Sequence, residues 1–179
     1  MNVVSKKPII GGIILAAIIG VVFVGAQINP DNPENEEVVF HVTLADPSQY
    51  KCEPGFRCED HHLHYRVDTY IGEEGVYMFR FVANGDSPKV LSVRISNWHG
   101  SMVTTDEPLL FSESFILKGT PHESETSLYY TWDYDGQKKF SISEADIFSS
   151  KIAPGCCQII INPNGDLMGP VSVDLIKLR

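Results

Sequence analysis

The residues best suited to chemistry fall in one short stretch, Lys51 to His64, which reads KCEPGFRCEDHHLH. It holds Cys52, Cys58, His61, His62 and His64, with Asp60 among them and Asp68 a little further on. His62 and His64 are two apart in a run predicted as a strand. Both side chains then leave the same face, in a row with Asp60, Arg66 and Asp68. Two imidazole nitrogens and a carboxylate oxygen make a workable clamp for zinc or copper, with His62, His64 and Asp68 as donors. Arg66 in the same row would repel a cation. The competing expectation is that these histidines decorate the wet face of a half-buried strand and that no cofactor is bound. His41, His99 and His122 join such a site only if the fold brings them close.

The four cysteines are Cys52, Cys58, Cys156 and Cys157. Pro54-Gly55 fits the two central positions of a type II turn, so the chain is expected to reverse between Cys52 and Cys58. A disulfide closing that loop is geometrically plausible. Cys156 and Cys157 are neighbours, and on a strand they point to opposite faces. A bond between them would strain the peptide, so either could instead reach Cys52 or Cys58. Three connectivities are open. A four-thiolate metal site is disfavoured, because adjacent cysteines lack the spacing of a zinc knuckle.

Thiol oxidation depends on compartment, and the N-terminus addresses that. Residues 9–26, IIGGIILAAIIGVVFVGA, carry no charge and no strongly polar side chain. As a helix they would cover roughly 27 Å, close to the bilayer's hydrocarbon thickness of about 30 Å. Lys6 and Lys7 precede the run, and Asp31, Glu34, Glu36 and Glu37 follow it. That polarity places residues 1–8 in the cytoplasm, makes 9–26 a signal anchor and puts the rest outside. A cleaved signal ending near Val24-Gly25-Ala26, or a pilin-type helix, exports the same domain. Gly12, Ala16 and Gly20 stand at small-xxx-small spacing, which permits a helix-mediated homodimer. Residues 27–37, QINPDNPENEE, read as an extended linker.

The chain carries −9, and the 12 basic and 23 acidic side chains beyond residue 26 give −11 there. Nucleic acid would be repelled. The sequence contains no Gly-x-Ser-x-Gly elbow, no phosphate-cradling glycine loop and no His-Glu-x-x-His, so catalysis is not expected.

From residue 38 to 179 the apolar pattern has period two. Val38/Phe40/Val42/Leu44, Leu63/Tyr65/Val67, Tyr77/Phe79/Phe81 and Leu91/Val93/Ile95 each share a face. Leu128/Tyr130/Trp132, Phe140/Ile142 and Val171/Val173/Leu175 continue the pattern. These predict about nine half-buried strands, with Asn84-Gly85 and Asp135-Gly136 supplying positive φ at reversals. One helical turn is expected at Ser143–Phe148. The fold class is all-β: an antiparallel β-sandwich, jelly-roll or Ig/GOLD-like, preceded by one transmembrane helix. In Ser127–Gly136, SLYYTWDYDG, Tyr129 is out of phase with Tyr130 and Trp132. Aromatics on both faces of one strand suit a binding surface, unless a second sheet covers them.

HLHYRVDTYIGEEG is similar to the first metal motif of cupins, but has Asp68 where cupins have glutamate, and no histidine follows His122 for the second motif. Gly75–Asn97, GVYMFRFVANGDSPKVLSVRISN, resembles a segment of GOLD domains, the exported β-sandwiches of Golgi cargo adaptors. FHVTLADPSQY, FRFVANGDSP, YYTWDYDG and INPNGDLMGPVSV together resemble membrane-anchored exported proteins of ammonia-oxidising archaea. These resemblances imply a β-sandwich and an extracytoplasmic address, and carry no catalytic residue. The expectation is a membrane-anchored module that binds an unknown protein or envelope partner, with a zinc- or copper-binding protein as its rival.

Overall fold

Period-two runs become strands because alternate side chains can be buried while the backbone pairs with its neighbours. The computed structural model of the chain describes residues 36–52, 63–97, 109–148 and 156–179. The apolar run 9–26 lies outside them, and no described helix is long and apolar enough to cross a membrane.

Among the described residues there are ten strands: β1 (Glu36–Leu44), β2 (Lys51–Cys52), β3 (Leu63–Tyr70), β4 (Gly75–Ala83), β5 (Val90–Asn97), β6 (Leu109–Glu123), β7 (Leu128–Asp135), β8 (Lys139–Ile142), β9 (Cys156–Asn162) and β10 (Val171–Leu178). The expected helical turn is α1 (Glu144–Phe148). A 3-10 turn, Pro47–Gln49, follows β1, started by a capping box in which Asp46 accepts from the Ser48 N–H and Gln49 reaches back to the Asp46 N–H.

The strands make two sheets, one of four in the order β1-β10-β4-β8 and one of six in the order β2-β3-β9-β5-β6-β7. Packed together they form an antiparallel, all-β sandwich. Tyr77, Phe79 and Phe81 of β4 lie opposite Lys177, Leu175 and Val173 of β10. In the other sheet, Ile159 and Ile161 pair with Val67 and Tyr65 on one side and with Ile95 and Val93 on the other. These inward rows meet in a single core, whose centre is aromatic. Phe79 has ring contacts with Phe81, Phe111, Phe115 and Phe140, and Phe81 with Tyr134. The Tyr134 hydroxyl is buried with its ring and donates to the Pro88 carbonyl at 2.6 Å, satisfying the one polar atom the ring brings inside.

Two turn expectations resolve differently. Gly136 takes the expected positive φ (149°) between β7 and β8, and Asn164 (φ 54°) and Gly165 (φ 88°) supply left-handed backbone between β9 and β10, as tight reversals need. Gly85 has no positive φ. Asn84 instead opens the turn, accepting the Ser87 N–H on its carbonyl and the Asp86 N–H on its side chain. Gly85 is there for space: a Cβ would approach the Trp132 ring to 3.0 Å.

Candidate functional site

The residues from the opening stretch separate. His62 and Cys58 lie outside the described residues, as does His99. The chain does reverse between β2 and β3, since Cys52 pairs directly with Leu63. His64 was expected on a wet face, and its ring is instead buried, 5% exposed. It stands on the outward row of the six-stranded sheet, where Gln158 and Ser96 are also buried. This outward face therefore carries a buried polar belt, and an alternating pattern cannot distinguish that from a solvated row. Asp68, in the row of His64, accepts a hydrogen bond from the Gln158 side-chain amide at 3.0 Å. His41 is on the outward row of the opposite sheet, so it cannot join His64, and His122 is far out on β6. Among the described residues no group of three or more His, Cys, Asp and Glu could hold a metal ion.

The cysteines divide in the same way. Cys157 is on the inward row of β9, opposite Thr69 and Asn97, and carries a thiol buried in the core. Cys156 pairs with Tyr70 at the far end of β3 from Leu63, the partner of Cys52. The intervening strand spans roughly 20 Å. A disulfide needs Cα atoms about 4.4–6.8 Å apart, so neither Cys156 nor Cys157 is within reach of Cys52.

A second polar constellation lies on the outward face of the four-stranded sheet. Asp174 accepts from His41 Nδ1 at 2.5 Å and from Arg80 Nε at 3.3 Å. His41 Nε2 is 3.4 Å from the Thr43 hydroxyl, which bonds Ser172 at 2.8 Å. The order carboxylate, imidazole, hydroxyl is that of a hydrolase triad. Here it lies on an outward sheet face with the imidazole 58% exposed, His41 and Thr43 being neighbours along β1 and each tied across to β10, at Asp174 and Ser172.

The most distinctive surface was legible only in outline. β5 accompanies β6 as far as Leu117, whose N–H bonds the Lys89 carbonyl. Beyond that point, among the described residues, β6 pairs with β7 alone, from Lys118↔Asp133 to Glu123↔Leu128. The result is a two-stranded ribbon extending about 20 Å past the rest of its sheet. Leu128, Tyr130 and Trp132 share a face as the sequence predicts, and all three are exposed, Trp132 least because it lies beside Met78–Phe81 of β4. Leu128 is 59% exposed, Tyr129 55%, Tyr130 49% and Trp132 36%. Trp132 sits on Gly119 and Gly85, where a Cβ would approach the indole to 2.8 Å and 3.0 Å. Tyr130 stacks beside it at 5.9 Å. On the other face Tyr129 stacks on His122 at 5.1 Å, and His122 Nε2 is 2.8 Å from the Thr131 hydroxyl. Ion pairs Lys118–Asp135 and Lys138–Asp133 brace the ribbon's base, and Lys118 holds the Asp135 carboxyl below its ordinary pKa.

Comparison with known proteins adds no relative: no family model, curated protein or solved structure matches this chain.

Proposed function

We propose that the chain is a single-pass, membrane-anchored protein that displays a β-sandwich, of jelly-roll or Ig/GOLD-like type, outside the cytoplasm. It works by binding a protein or envelope partner, without catalysis. The observation that carries this reading is the β6–β7 ribbon, with Leu128, Tyr130 and Trp132 exposed together on one face and Tyr129 exposed on the other. A typical monomer scatters such residues singly, whereas a contiguous patch marks an interaction site. Aromatic residues also supply contact area at low entropic cost. The test is co-purification from intact membranes. Tyr129→Ala with Tyr130→Ala should lose the partner that the native chain retains while keeping its strand circular dichroism. Equal recovery by both chains would refute the reading.

The extracytoplasmic address rests on residues 9–26 and is checked separately: protease added to whole cells should digest the domain. We also propose a Cys52–Cys58 disulfide closing the β2–β3 loop, because Pro54-Gly55 suits a reversal between them and Cys156 and Cys157 are paired a strand's length from Cys52. Mass mapping of alkylated peptides should find these two linked and Cys157 as a thiol.

Zinc or copper binding at His62, His64 and Asp68 is the second reading, carried by the His-x-His spacing alone, since Asp68 stands four residues and roughly 13 Å along β3 from His64 and accepts from Gln158. It requires a stoichiometric ion in the purified protein that is lost when both histidines become alanine.

A further inference from the structure

The ribbon has an open side as well as open faces. β7 is the terminal strand of its sheet among the described residues, so its outer backbone groups are not paired to a further strand. Folded proteins guard such edges with charge, proline or brevity. The other edges here are guarded: β1 opens with Glu36 and Glu37, β2 has two residues, one of them Lys51, and β8 is short and begins at Lys139. The outer part of β7, Leu128 to Thr131 and on to Trp132, has no charge and no proline. A two-stranded ribbon in water is itself only marginally stable, and a third and fourth strand would cover what it leaves open.

We infer that the β7 edge pairs antiparallel with the β7 edge of a second copy, joining two ribbons into a four-stranded sheet. This rests on the binding reading above and names its partner. A two-fold axis through Tyr130 sets Tyr130 against Tyr130, Leu128 against Trp132 and Tyr129 against Thr131. Residues opposite each other lie on the same face of an antiparallel pair, so two matches are apolar or aromatic, the third sets Tyr129 against the uncharged Thr131, and none opposes like charges. The first charge of the strand, Asp133, falls opposite Ser127, outside the paired run. The acidic bodies, which would repel at close range, are carried to opposite ends of the joined ribbons. Their separation of about 20 Å exceeds twice the screening length of about 8 Å at physiological salt. A foreign strand could use the same edge, but it would need this register by coincidence, whereas a second copy has it by symmetry.

The experiment uses the full chain in native membranes. Tyr130→Cys places two sulfurs at the axis and should give a disulfide-linked dimer on mild oxidation. Lys139→Cys, on the β8 edge, serves as the control and should not. After detergent extraction, sedimentation should show the native chain as a dimer. Tyr130→Lys, which sets two ammonium groups against each other, should weaken association on the order of tenfold or more with circular dichroism unchanged. A dimer that persists in Tyr130→Lys overturns the inference, because the transmembrane run would then be its source. So does cross-linking at 130 no stronger than at 139. A photo-cross-linker at Thr131 separates the two claims. Capture of a different envelope protein defeats self-pairing and leaves the binding reading standing, while no product of either kind defeats both.

Discussion

Single side chains decide how this sandwich tolerates change, and the buried phenols show it most plainly. Burial pushes the Tyr50 hydroxyl up to about 12, and the same cause raises Tyr134 further. A group whose folded pKa lies above its unfolded value stabilises the fold fully below the unfolded value, near 10 for tyrosine. That stability is lost as pH rises through the folded value. The denaturation midpoint should therefore hold steady up to about pH 10 and fall between about pH 10 and 12, with the rise in tyrosinate absorbance coinciding with loss of circular dichroism. Tyr134→Phe removes the donor to Pro88 and leaves a buried carbonyl unanswered. It should cost about 1–2 kcal/mol in chemical denaturation. Gly169 is less forgiving. Its φ is 93°, and a Cβ would come within 1.7 Å of the Asp86 carbonyl oxygen, so Gly169→Ala should cost about 3 kcal/mol or more, or prevent folding.

Among the elements, strands whose inward rows face the other sheet were readable from residue type alone. Tyr77, Phe79 and Phe81, then Leu91, Val93 and Ile95, then Val171, Val173 and Leu175 are all buried as their alternation predicts. Leu128, Tyr130 and Trp132 show the same alternation and are exposed, because the pattern states which side chains share a face and not whether anything lies opposite. His64 failed in the reverse sense: its row looked solvated, yet the folded chain buries it. Gly85 was readable as a turn residue but not as a seat for Trp132, a contact made by chain segments nearly fifty positions apart. The candidate site was thus legible as composition, in SLYYTWDYDG, and hidden as geometry. Trp132→Ala should separate the two roles of that residue. It removes the side chain seated on both glycines, so ribbon amides should exchange hydrogen faster while amides of β4 and β9 keep their protection.

For the molecule as a whole, the sandwich supplies a rigid body and the ribbon supplies reach. Most of the acidic charge belongs to the body, which keeps copies soluble and apart, while the uncharged edge belongs to the projecting part. Acid should weaken both parts: at the ribbon's base the Lys118 ion pair lowers the Asp135 pKa, and two turns of the body respond in the same sense. Ser48 N–H bonding lowers the Asp46 pKa, and Ser143 lowers that of Asp146. Both carboxylates therefore lend stability above their unfolded values, near 4, and lose it as pH falls through their lower folded values.

The first and last strands, β1 and β10, are neighbours in one sheet, and Arg179 bonds Glu37 at 3.0 Å. A few added residues could therefore bridge position 179 to position 37, and the polypeptide could be restarted between Glu123 and Leu128. Such a circular permutant should adopt the same sandwich, with its two new ends at the ribbon's tip.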